Sequence, residues 1–250
     1  MSRWTIKNLN DDPNFSDSAY EISCLVWKDF MQNNDCSGKI WGPMEAEMGE
    51  NHIVILDGER HVATANTMPV YWDGDLQHLP PEGWDWEMTS GWELHQKGEK
   101  ANTLGAISIN IHPDYQGQGL SYEALKQMRL LAQAKGFRQL IAPVRPTFKS
   151  LYPLMSMTEY LHWRRPDGLP FDPWLRAHER VGGQIIKEAP FSMTITGSVE
   201  EWESWAKMRF PFSGSYYVEG ALNPVQIDIS SGRGVYIEPN VWVLHRIEAS

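Results

Sequence analysis

The 250-residue chain holds two cysteines, Cys24 and Cys36, and neither belongs to a CxxC pair nor has a downstream cysteine to complete a metal site. Both read as free thiols, and no metal site is expected. Long apolar runs are also missing. No stretch approaches the about 18 residues that could span a bilayer, and "MSRWTIKNLNDD" lacks the apolar core of a signal peptide, so the cytoplasm is the default expectation. Positive charge is scarce: 22 Lys plus Arg stand against 32 Asp plus Glu, a formal net charge of -10. That balance disfavours nonspecific attraction to nucleic acid or an anionic membrane and makes a cation a better charged ligand than an anion. Internal repeats and low-complexity tracts are absent.

What is present is a chain that is 42% hydrophobic, with dispersed Gly and Pro and 12 tryptophans. Such a composition buries a sizeable core, and one large domain over 1–250 is the first expectation. Apolar spacing at Leu25, Val26, Phe30 and Met31 predicts a helix around 17–33. The Asp-Gly in "HIVILDGERHVATANTMPVYW" separates two apolar runs and predicts antiparallel strands at 52–56 and 61–68. From Asp73 to Lys100 the chain carries Trp84, Trp86 and Trp92 without clean periodicity and reads as an irregular segment, a possible wall for an acceptor pocket. A strand is predicted at 103–111, a helix over 122–135 and a second strand at 138–144, so the crossover makes the two strands parallel. Beyond it, the proline-rich 145–170 reads as an inserted loop with a short helix near 154–163. Asp172 and Pro173 open a helix that Gly182-Gly183 end. "QIIKEA" reads as a strand, and Ser198 with Glu201 forms a capping box for one more helix. An extended segment of 190–250 ends in "GVYIEPNVWVLHRI", a further strand.

Between the strand at 103–111 and its helix lies "HPDYQGQGLS". A glycine turn there presents backbone N–H groups beside the positive end of a helix, a geometry that holds phosphate without cationic side chains. Lys126 and Arg129 on the same helix would add local positive charge. A Walker loop needs lysine after its last glycine, and Leu120 stands there instead. A dinucleotide fingerprint needs a third glycine where Tyr122 stands. The remaining pattern, [RQ]xxGx[GA], is met by Gln116, Gly117, Gln118, Gly119, Leu120 and Ser121, with Ser121 in the place of Gly or Ala.

That loop, preceded by "INIHPDY" and followed by an amphipathic helix, resembles the coenzyme A pyrophosphate loop of the GCN5-related N-acetyltransferase (GNAT) superfamily. The segment Ala177 to Gly183 running into "QIIKEA" is similar to the family's later helix and strand, so the resemblance covers roughly 100–188. It implies an α/β (α+β) fold: a mixed, mostly antiparallel central sheet flanked by helices, with splayed parallel strands at the coenzyme site. It implies acetyl-CoA as cosubstrate and transfer of the acetyl group to a primary amine of a small molecule or peptide by direct attack. By the resemblance, residues 116–121 hold the pyrophosphate, the main chains of Ile109 and Ile111 pair with pantetheine, and Ile107 or Ile109 turns an N–H to the thioester oxygen. His178 stands where the family often has tyrosine and is the candidate general acid, with Tyr152 as rival. The carboxylate that the family often places on the strand before the loop is missing from Leu104 to Ile111. Glu87, Glu93 and Glu99 lie upstream and read as solvated, and His112 as an exposed loop residue. Alternatives are transfer to a hydroxyl, a longer acyl-CoA, a silent acyl-CoA-binding module, or an aromatic-rich binding protein for sugars or peptides. Oligomeric state is left open.

Overall fold

Alternating and wholly apolar runs become nine strands of one sheet: β1 (Thr5–Asn8), β2 (His52–Asp57), β3 (Arg60–Val70), β4 (Thr103–Ile111), β5 (Gln139–Val144), β6 (Gln184–Ser198), β7 (Gly214–Tyr216), β8 (Val225–Asp228) and β9 (Arg233–Arg246). The computed structural model describes residues 3–248; Met1, Ser2, Ala249 and Ser250, which the single-domain expectation takes in, lie outside the described residues. The order is β1-β2-β3-β4-β5-β9-β8-β7, with β6 on the other edge of β9. Every pairing is antiparallel except β4 with β5.

Among the described residues seven α-helices cover the sheet: α1 (Phe15–Val26), α2 (Ser37–Glu47), α3 (Gly83–Gln96), α4 (Leu120–Ala134), α5 (Met157–His162), α6 (Pro173–Arg180) and α7 (Val199–Ala206). Successive side chains of a strand point to opposite faces, and the two faces take different helices. Leu104 and Leu140 pack with Leu125 and Met128 of α4, and Val243 packs with Leu175 of α6. On the reverse, Ile107, Ile141 and Trp242 pack with Met44 of α2, Trp84 and Met88 of α3, and Trp202 of α7.

Four elements depart from the sequence expectation. The predicted helix over 17–33 is two pieces, because Trp27 leaves α1 in an extended conformation (φ -96°, ψ 140°) and sends its indole to Asn110 Oδ1 at 2.8 Å. The supposedly irregular Trp-rich segment contains α3. Its inward face is Trp84, Glu87, Met88 and Gly91, a helical spacing that a carboxylate and a glycine hide from any apolar count. Gly91 is required there, since a Cβ would stand 2.2 Å from Met68 Cγ. Helix α2 contains Gly38, Gly42 and Pro43 and had no apolar signature. Strand β6 continues through Pro190 to Ser198, with register shifts at Ile185/Lys187 and Ala189/Met193 that let it follow β9. The capping boxes of α7 and α5 and the Asp172 cap of α6 form as side-chain chemistry requires.

Candidate active site

The parallel contact between β4 and β5 is two rungs long, Leu104 with Leu140 and Gly105 with Ile141. Beyond them β4 stays with β3 as far as Ile111, and β5 stays with β9 as far as Val144. The strands therefore part in a V. Just past the last shared rung, Ala106 faces Thr67 and Ser108 faces Asn66, so Ile107 is an extra residue, a β-bulge. Its carbonyl accepts a hydrogen bond from Trp84 Nε1 at 3.0 Å.

The amide of His112 donates to the carbonyl of Val62 at 2.9 Å. In an antiparallel ladder hydrogen-bonded pairs alternate with non-hydrogen-bonded ones, so Asn110 and Ser108 bond to β3 while Ile109 and Ile111 turn their main-chain groups away from it, into the V. The Ile111 carbonyl is taken by Gln116 Nε2 at 3.3 Å. At the mouth of the V, α4 begins. Gly117 and Gly119 have φ of 75° and 83°, and a Cβ on either would project into open space. Among the described residues no acceptor takes the amides of Gly117, Gln118, Gly119, Leu120 or Ser121. Five unpaired N–H groups at a helix N-terminus suit an anion. Gln118 braces the loop, donating to the Asp114 carbonyl at 3.0 Å and accepting from Arg3 Nη1 at 3.0 Å. Ser121 makes no capping bond; Gly119 is the N-cap. Lys126 is spent on Glu123 and Arg129 on the Val181 carbonyl, so the extra positive charge expected at the turn is not delivered there.

The reverse face of the V carries a polar chain. From the bulge carbonyl it passes to Trp84 Nε1; the Trp84 amide donates to Ser192 Oγ (2.8 Å), Ser192 to Asn240 Oδ1 (2.7 Å) and Asn240 Nδ2 to Glu238 Oε1 (3.1 Å). Arg145 Nε reaches both Glu238 oxygens at 3.0 Å, and Tyr236 donates to Oε2 at 2.8 Å. The Arg145 guanidinium lies 6.0 Å from the ring of Trp27. Asp85, held by Asn34 Nδ2 and the Thr194 amide, is pushed up to about 6 by burial. Trp84 and Trp86 of the expected aromatic wall pack into the sheet face, while Trp92 sits farther along α3 against His95.

His178 is 2% exposed. Its Nδ1 meets Nε2 of His245 at 2.9 Å, Trp174 lies edge-on at 4.4 Å, and its Nε2 has no partner. Burial, and then the neighbouring His245, drives its pKa well below 6.5, which favours the neutral ring. Tyr152 lies in the inserted aromatic cluster against Trp163 and Phe171. His112 is mostly shielded and packs on Tyr115. Glu93 and Glu99 are exposed, but Glu87 is fully buried, against the expectation of a solvated side chain. No sequence signal separated it from its neighbours; only the turn of α3 does.

Two open clefts lie elsewhere, one of about 450 Å³ between Trp72 and Gln139 at the closed end of β4 and β5, the other of about 530 Å³ beside α7. Among the described residues no group of three His, Cys, Asp or Glu could hold a metal ion, and no helix is long and apolar enough to cross a membrane. His245, pushed down to about 4 by burial and then by Arg129, shares the fate of His178. The unfolded chain binds protons on both rings near pH 6.5 and the folded chain does not, so stability is full above 6.5 and falls as pH drops towards 4. Chemical denaturation against pH is expected to show a loss on the order of 3 kcal/mol from His245 over that window, removed in His245→Gln.

No protein-family model matches the chain. Arginine N-acetyltransferase avaD of Aspergillus versicolor is 34% identical over 259 residues, spanning 92% of this chain and 88% of that protein. Among solved structures, the loading GNATL domain of CurA from Lyngbya majuscula superposes with a TM-score of 0.64 at 17% identity, covering 98% of both chains. The GphF GNAT-like decarboxylase in complex with isobutyryl-CoA gives 0.58 at 14% identity, covering 98% of this chain and 100% of that one. An aminoglycoside 6'-N-acetyltransferase complexed with coenzyme A gives 0.52 at 11%, covering 98% of both. These three likenesses establish the fold, and the sequence relationship to avaD does the rest: the chain belongs to the GCN5-related N-acetyltransferase superfamily.

Proposed function

We propose that the chain transfers the acetyl group of acetyl-CoA to the primary amine of a small cationic molecule of the arginine type. Acetyl transfer to an amine follows from the relationship to an arginine N-acetyltransferase. The observation that carries the coenzyme reading is the V itself: an open β4 edge at Ile109 and Ile111 leading from five unpaired amides at 117–121. Residues 116–121 would cradle the pyrophosphate, and Ile109 and Ile111 would pair with the pantetheine amides as an added strand does. The bulge amide of Ile107, or that of Ile109, would receive the oxyanion of the attacked thioester. Trp84 fixes the bulge peptide by its carbonyl, so its part is positioning. His178, held neutral, would offer an Nε2–H to the departing sulfur when His245 donates to its Nδ1.

A cationic acceptor suits the other face. Glu238, Asp85 and Asp35 lie there, Arg145 being paired with Glu238. A hydroxyl acceptor would gain nothing from those carboxylates.

Release of free thiol from acetyl-CoA across a panel of amines is the direct test. Arginine and its close analogues are expected to support turnover, and neutral alcohols are not; binding of CoA without thiol release from any amine would sink the activity. Gly119→Val forces a β-branched residue to a φ of 83°. By calorimetry CoA should bind it about tenfold more weakly or worse, with the fold retained. Trp84→Phe keeps the ring and loses the indole N–H. It is expected to lower kcat about tenfold while leaving the CoA dissociation constant in place.

A further inference from the structure

The buried group that none of these roles uses is Glu87. Its side chain is wholly shielded from solvent, and neither carboxyl oxygen has a hydrogen-bond partner. A buried ionisable group with no partner costs several kcal/mol unless it sheds its charge, and such orphans are rare enough in native proteins to require an explanation. Nothing structural is gained from it, for it caps no helix and bonds no strand.

Its position is specific. Glu87 lies one helical turn after Trp84, so α3 presents both to β4: Trp84 at the bulge carbonyl of Ile107, Glu87 at Gly105. A Cβ on Gly105 would stand 2.8 Å from the carboxyl carbon and within 3.0 Å of both oxygens. The side chain is missing from that rung, and a carboxyl from the helix fills the space. Gly105 is also the last residue of β4 that β5 shares, and the bulge is two residues on. At about 3.3 Å per residue, Gly105 and Ile107 are roughly 6–7 Å apart along the strand, so the carboxyl sits beside the rung next to the bulge.

We propose that Glu87 is the general base of the transfer, removing the first proton from the acceptor's ammonium nitrogen; the assignment rests on the acetyl-transfer reading above. The ammonium N–H breaks and an O–H forms on the Glu87 carboxylate. The freed lone pair attacks the thioester carbon, the C–S bond breaks, His178 gives its Nε2 proton to the departing sulfur, and the second nitrogen proton replaces it. Glu87, neutral in the free protein, gives its own proton to solvent as the ammonium docks and regains one from the nitrogen, so it ends each turnover neutral again, and one ammonium and one thioester give one amide, one thiol and one released proton. In a dry site an ammonium facing a carboxylate is disfavoured relative to amine and carboxylic acid, because two buried charges cost more than none. Burial alone pushes the Glu87 carboxyl well above the usual carboxylate range. No charge opposes or assists it. The titratable groups of the surrounding elements point elsewhere: Asp85 to Asn34 and Thr194, Glu238 to Arg145, His52 to Asn66, Glu45 to Trp41, Glu47 to His95 and Lys187 to the Gln77 carbonyl.

The test is Glu87→Gln, which keeps the volume and removes the titration. Calorimetry with CoA and thermal melting are expected to match the unaltered protein. For arginine, whose α-amine is protonated at pH 7, kcat/KM should fall about a hundredfold or more. For a weakly basic amine that is already neutral at pH 7 the loss should shrink to a few fold, a selectivity that a packing defect would not produce. Difference infrared spectra of the unaltered protein should show the C=O stretch of a protonated carboxyl that the variant lacks. Undiminished turnover of arginine by Glu87→Gln, or equal losses for both amine classes, overturns the assignment. An unaltered protein inert towards every amine overturns the acetyl-transfer reading instead, and the assignment with it.

Discussion

Strand β4 cannot follow two partners that diverge. It is bound to β3 along its length, while β5 is bound along its length to β9, and only Leu104–Leu140 and Gly105–Ile141 tie the halves together. A twisted sheet forced apart in this way leaves main-chain groups in its middle with nothing to bond, which costs free energy unless water or a ligand takes them. The open edge at Ile109 and Ile111 therefore leaves a place that a ligand with amides can complete. The long β9 makes the break tolerable. It gives β5 an alternative partner and is itself backed by β6 over most of its length.

Each face of the break is chemically committed. On the α4 side the protein offers backbone amides, which can bind an anion without cationic side chains. On the α3 side it buries Ser192, Asn240, Glu238 and Tyr236 in one connected network anchored by Arg145. Such networks rigidify when complete and are costly when broken. Because this one ends on the Trp84 amide, the peptide at the bulge is referenced to β6 and β9 rather than to the loosely held β4 alone.

Legibility followed periodicity. The strand, glycine turn and helix at 103–134 could be read because alternation, glycines that take a positive φ and an apolar stripe agree there. The direction of the Ile109 and Ile111 main chains needed the register, which rests on a bulge at Ile107 that no local pattern announces. The burial of His178, and its contact with His245 67 residues on, could not be read from its place in the motif. Tertiary partners set pKa values, and a sequence does not order them in space.

Helix α3 was missed for a reason that bears on its role. A helix that only fills a core shows an apolar stripe; one that serves a site must place polar and small residues on the same inward stripe and so erases its own signature. Glu87 and Gly91 interrupt the apolar inner face of α3, and Gly105 interrupts β4 opposite it. Gly91 admits Met68, and Gly105 admits the Glu87 carboxyl, so the two glycines are spent on close approach rather than on turns. The absent carboxylate of β4 and the absent periodicity of 73–100 are then one fact: the acid that the strand lacks is carried by the helix, and carrying it is what made the helix unreadable.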